Sequence, residues 1–310
     1  MTKCCRLLSL VTVVSLAACE LQEIVIATAS DTVVAEVVLH AGSPAQTAYL
    51  HRSVTPGGTA RVHGARVFIE DQERGGEFEL VATDDDVCLV PAPPPALAGV
   101  GTCHAATVPA DAVRPGATYS LRVELPDRAP LQATTRVPSD FDFVMPSVAS
   151  CRLSPGTTLP LVWTRADGAW VYVMQARFSG LASALRRQGV SVPPATPEPL
   201  DLLGVAIGAS DTTMTFPAGF GVFDRASEAL HPVLVAIQDG LPSDVETEVV
   251  VAAADRNYVN WVRGGSFNPS GTVRVPSVTG ADPAAGTGLF GSLVTRSVRI
   301  RTAIGGVPCL

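Results

Sequence analysis

The chain has 310 residues, 47% of them hydrophobic and 16% charged, which excludes a disordered polypeptide and leaves length for about two domains. Its 27 Gly and 25 Pro set against 5% aromatics favour short strands and punctuated loops over long helices. A net charge of −7 repels nucleic acid and gives no electrostatic reason to lie on anionic lipid.

Residues 1–6, "MTKCCR", carry Lys3 and Arg6, and an apolar run, "LLSLVTVVSLAA", follows from Leu7 to Ala18. Twelve residues are too few for a bilayer span, which needs about 20, but they fit the apolar core of an export signal. The run ends in "LAAC", which resembles the lipobox of bacterial lipoproteins. That resemblance implies cleavage after a signal peptide of residues 1–18, diacylglycerol on the sulfur of Cys19 and an acyl chain on its amine. Several acyl chains, at about 0.8 kcal/mol per buried CH₂, make a stable anchor. The competing readings are an ordinary secretory signal with Cys19 incidental, and a core helix over 7–18. Loss of Lys3 and Arg6 with the signal leaves 20 basic against 29 acidic residues, or −9. The longest later apolar run, "VVVAAA" at 249–254, is far too short to span a membrane.

From Ile24 the pattern becomes strand-like. Strands are expected at 33–40, 47–54, 65–71, 75–82 and 114–125, where Tyr119, Leu121, Val123 and Leu125 alternate. "LQATTRVP" closes this half, so residues 19–140 read as an immunoglobulin- or transthyretin-like β-sandwich. "SDFDFVMPSVASC" reads as a linker, taken as 141–150.

A second set of strands is expected at 159–178, 212–223, 232–238 and 247–262, making residues 151–310 a second sandwich. Trp163, Trp170 and Tyr172 across a glycine turn resemble the paired strands of a fibronectin type III-like domain. "SGLASALRRQG" (179–189) is the expected short helix, with Ser179 to cap it and Gly189 to end it. The expected fold is therefore all-β, two tandem sandwiches with one short helix in the second.

Cys88, Cys103, Cys151 and Cys309 remain after the signal and Cys19 are set aside, an even number that in an exported chain points to disulfides. Cys88 and Cys103 bracket a proline-rich loop and are expected to pair, which leaves Cys151 to tie the second half to its end at Cys309. Zinc is disfavoured, because there is no C-x-x-C pair and no histidine array.

Catalytic signals are weak. His40, His51, His63, His104 and His231 are scattered and form no H-E-x-x-H pattern. "GGSFN" and "FGSLV" do not complete G-x-S-x-G. Asp84, Asp85 and Asp86 lack calcium-loop spacing and read as a solvated loop. Arg256, Tyr258, Trp261 and Arg263, beside the glycine-rich "RGGSF", are the candidate partner-binding residues, since Tyr, Trp and Arg concentrate binding energy at interfaces. The bland alternative has Trp261 and Phe290 filling the core.

One resemblance covers roughly residues 19–300. The order of the lipobox, "VVAEVVL", "VHGARVFIED", "PGATYSLRVELPDRAPLQATTRVPSDFDF", a tryptophan strand and the closing "GLFGS" (288–292) is similar to the domain of unknown function 4249 family of exported lipoproteins. "TGADPAAG" and the Cys88/Cys103 pair depart from that pattern. The resemblance implies an outer-membrane lipoprotein, in some relatives encoded near TonB-dependent receptors, and brings no reaction, cofactor, metal or catalytic residue. The expected function is a non-catalytic binding or assembly module of the cell envelope, held to the membrane at Cys19 beside an outer-membrane protein partner. The alternatives are an envelope hydrolase and an adhesin or carbohydrate-binding accessory.

Overall fold

The computed structural model describes residues 32–53, 61–89, 101–206, 208, 210–221, 229–263, 277–280 and 286–309. The expected signal peptide and Cys19 lie outside them. Seven strands occupy the first half: β1 (Val33–Ala41), β2 (Ala45–Arg52), β3 (Arg66–Asp71), β4 (Glu77–Thr83), β5 (Gly101–Thr107), β6 (Thr118–Leu125) and β7 (Arg128–Arg136). Val33, Ala35, Val37 and Leu39 of β1, and Tyr119, Leu121 and Val123 of β6, are buried alternately with more exposed neighbours. Such alternation turns one face of each strand to a common core.

The chain continues through β8 (Phe143–Met145), β9 (Ser150–Leu153), β10 (Leu159–Trp163), β11 (Val171–Ser179), helix α1 (Leu181–Arg187), β12 (Leu200–Ala206) and β13 (Thr213–Phe216). Helix α2 (His231–Ala236), β14 (Glu246–Ala254), helix α3 (Arg256–Arg263), β15 (Val278–Gly280) and β16 (Gly286–Thr302) complete it.

Pairing runs β1-β2-β5-β4-β3-β6-β7-β15-β16, and β16 returns to β1, so nine strands close into a ring. A ring with an odd number of strands cannot alternate direction all the way round. The seam is where alternation fails: Val33–Ala41 pairs parallel with Gly286–Val294, while the other junctions are antiparallel. This closed, mixed β-barrel replaces the expected tandem sandwiches. Alternation dictates which face of a strand is buried, not which sheet edges meet, and the edges meet here through β16.

β16 is 17 residues long and leaves the barrel. Beyond the seam, Leu293–Arg301 pairs with β14, and β11 and β12 add outward from there. On its other side β9 pairs parallel with Arg299–Thr302. A separate sheet, β13-β10-β8, packs Trp163 and Phe216 against Tyr172 and Phe178 of β11, with ring centroids 5.3 Å and 6.0 Å apart. One continuous sheet therefore runs through both halves of the chain. The stretch expected as a linker, 141–150, contains β8 and the buried Phe141.

Two expected strands are helical instead. "PVLVAIQ" forms most of α2, with Pro232 in the first turn, where its missing N–H costs nothing. The strand expected over 247–262 stops at Ala254, and α3 begins after Asp255. Helix α1 falls within 179–189, so the single expected helix is joined by two more.

Two bridges are present: Cys88–Cys103, with an S–S distance of 2.01 Å, and Cys151–Cys309, at 2.11 Å. The first holds the 3₁₀ turn at 85–87 to β5, and the second ties β9 to the end of the chain.

Candidate interaction surface

Three of the four side chains expected to bind a partner are described on α3, and the sequence explains how that helix is held. Asp255 sits at its N-cap, accepting a hydrogen bond at Oδ1 from the Tyr258 backbone N–H at 2.9 Å. Its other carboxylate oxygen accepts from the Thr135 hydroxyl on β7, and its backbone N–H donates to the Ser292 carbonyl at 3.1 Å. Burial pushes the Asp255 carboxyl up, although hydrogen bonds from Thr135 and nearby backbone oppose the shift. Asn257 then clamps two barrel strands, its Nδ2 donating to the carbonyls of Thr134 and Phe290, each at 2.9 Å. Gly291 leaves space beneath the helix, since a Cβ there would lie 3.1 Å from the Cβ of Tyr258.

These contacts seat α3 on the outer face of β16 where barrel and extension meet. Val259 is buried with Val171 and Ala254, and the partly buried Tyr258, Val173, Val205 and Leu293 pack against this cluster. Burial raises the Tyr258 hydroxyl above its ordinary pKa. Trp261 is only 9% exposed and Phe290 is fully enclosed, so both side chains serve packing. Arg256 is exposed, with its guanidinium 5.0 Å from the ring centre of Trp170. The Arg263 side chain lies outside the described residues.

The outward part of this region is therefore Arg256 beside Trp170, which is 42% exposed, with Val262 of α3 also showing apolar surface. Trp170 was visible in the sequence as one of an aromatic set.

The other candidate groups do not converge. His104 is buried in β5 with Nε2 3.4 Å from the Ala65 carbonyl, and burial lowers the pKa of both His104 and His40. Asp85 pairs with Arg61 at 2.8 Å. Among the described residues no three His, Cys, Asp or Glu side chains are grouped to hold a metal. None of their helices is long and apolar enough to cross a membrane.

No family model matches the chain, and no curated protein matches it significantly. Among solved structures it is similar to a two-domain fibronectin type III segment of chicken tenascin, at 11% identity and a TM-score of 0.19, over 71% of this chain and 88% of that one. The FN1–FN3 domains of chicken CNTN1 match at 10% identity and a TM-score of 0.19, over 87% of this chain and 65% of theirs. Salmonella alpha-2-macroglobulin matches at 11% identity and a TM-score of 0.24, over 92% of this chain and 16% of its own. Likeness at this level leaves class and function to the molecule itself.

Proposed function

We propose that this chain is an outer-membrane lipoprotein, anchored at Cys19, that works as a non-catalytic binding or assembly module of the cell envelope. The observation that carries the reading is "LAAC" at the end of a short apolar run behind a basic flank. The two cystine bridges fit an oxidising compartment, and the resemblance to the domain of unknown function 4249 family fits an envelope location beside a larger receptor. Replacing Cys19 by Ser should abolish labelling by a fatty-acid analogue and release the protein from the membrane fraction. Equal labelling of the variant would sink the reading.

The partner surface in this proposal is Arg256, Trp170 and Val262, on and beside α3. The direction of β16 supports it. Gly286 lies beside Val33, the barrel residue nearest Cys19 in sequence, and the strand carries the extension away from that end. The barrel then acts as a spacer. Because Trp170 and Arg256 are exposed, their Ala variants should fold normally and recover less of a co-purifying envelope protein; undiminished recovery rejects this surface.

A further inference from the structure

A groove of about 490 Å³ crosses the outer face of the barrel over β3, β6, β7 and β15. That volume is within the range of small-ligand sites. Strand register sets its lining in two adjacent rungs, Phe68–Arg122–Gln132–Thr279 and Glu70–Ser120–Thr134.

Both charged side chains in these rungs are already engaged, Arg122 by carboxylates and Glu70 by neutral donors. Arg122 donates to Glu77 at 3.0 Å and also to Glu124, while Glu70 accepts from Ser120 at 3.2 Å and Gln72 at 3.3 Å. The guanidiniums of Arg66 and Arg122 lie 4.6 Å and 4.1 Å from the ring centre of Phe68, which is 7% exposed and forms a floor rather than a stacking platform. An anionic ligand would meet Glu70 and have to break the Arg122 pairs, a cationic one would meet Arg122 itself, and a protein partner would find no apolar centre. What remains is a line of exposed amide and hydroxyl groups, Gln132, Thr134 and Thr279, whose side chains have no hydrogen-bond partner among the described residues. Gln132 and Thr279 face each other across strands about 4.8 Å apart, and Thr134 lies two residues along β7 on the same face.

We propose that this groove binds a neutral oligosaccharide. Sugar hydroxyls donate and accept at once, which is the complement of an amide flanked by hydroxyls. Without an aromatic platform, affinity must come from hydrogen bonds added along the chain, so it should grow with the number of sugar units.

The test is calorimetry on the detergent-solubilised full chain with neutral gluco-, manno- and N-acetylglucosamine oligosaccharides from mono- to hexasaccharide, and oligouronates as the charged control. Binding should strengthen with length and weaken about tenfold in Gln132→Ala and in Thr134→Ala, roughly one hydrogen bond each. Both positions are exposed, and circular dichroism would confirm that the variants fold. Absence of binding by every neutral sugar, preference for the uronates, or binding that ignores both substitutions would each overturn the proposal.

Discussion

The barrel and the extension dispose of their sheet edges in opposite ways. The barrel has none, because β16 closes on β1. The extension ends in β12 on one side and β9 on the other, and single chain segments cover both, one close in sequence and one from the far end of the chain. The Gly221 N–H donates to the Leu203 carbonyl of β12 at 2.8 Å, and Arg152 of β9 exchanges hydrogen bonds with Val307 and Cys309. Unpaired edges template aggregation, so each half carries a remedy. Closure needs two strands to pair closely along nine residues, whereas edge cover needs only a few loop contacts. The barrel should accordingly be vulnerable at its seam, and the extension at its ties.

The largest effect should come from the seam. Gly288 has φ +151°, and a Cβ there would lie 1.9 Å from the Ala35 carbonyl oxygen, which is backbone and cannot rotate away. Gly288→Val should leave no cooperatively folded barrel, read as loss of the thermal transition and rapid proteolysis. A near-normal transition would show that closure does not depend on this contact.

Next come the two cystines, which separate the halves by loop length. Cys151 and Cys309 are 158 residues apart, so in the chain-entropy account their bridge contributes about 5 kcal/mol. Cys88 and Cys103 are 15 apart, for about 3 kcal/mol. Denaturant titration of Cys309→Ser and Cys88→Ser should rank them in that order, and the reverse order would mean that strain or residual unfolded structure outweighs loop entropy.

A smaller contrast lies in two buried tyrosines. The Tyr119 hydroxyl of the barrel accepts from Arg114 N–H and donates to the Ala112 carbonyl, both at 2.9 Å. The Tyr172 hydroxyl of the extension accepts from Ala166 N–H at 2.8 Å. At about 1 kcal/mol per hydrogen bond, Tyr119→Phe should cost about 2 kcal/mol and Tyr172→Phe about 1. Equal losses in the same titration would mean that the loop before β6 finds new partners.

How much of this was legible follows from the same contrast. The alternating runs of β1 and β6 announce themselves, since each hides one face. β16 does not, because Gly286, Gly288 and Gly291 give its start the look of a loop. They are what the seam requires: a Cβ at Gly286 would meet the Leu131 side chain at 2.6 Å. Ring closure is a property of that hidden strand, so the strands before it read equally well as a sandwich. Helix α2 was misread because four apolar residues in a row carry no period, although Val235 is 55% exposed. At the candidate surface, residue type singled out Arg256, Tyr258 and Trp261, which lie on a helix where a strand was expected. Which aromatic faces outward could not be read, because Asp255 turns the chain from strand to helix there and changes the period.

The smallest effect is on pH, and it should single out the barrel. His104 is 1% exposed, and burial lowers its pKa below 6.5 although backbone hydrogen bonds at Ala65 and Thr102, and Glu79 nearby, oppose the shift. His40, also in the barrel, is lowered in the same way. The folded state therefore resists a proton that the unfolded chain accepts. Stability should be full above about pH 6.5 and fall as the pH drops from there toward the folded pKa, with a slope of at most about 1.4 kcal/mol per pH unit for each histidine. Asp71 and Glu79, whose carboxyls are lowered, lose their contribution only below the ordinary values of 3.8 and 4.5. Asp255, whose carboxyl is raised, acts in the opposite sense and gains on acidification. Comparing wild type with His104→Gln by denaturant titration at about pH 7.5 and about pH 5.5 cancels those carboxylates and leaves the histidine. The variant should lose less stability on acidification than wild type does. Equal losses would mean that His104 gains a partner for its proton in the folded barrel.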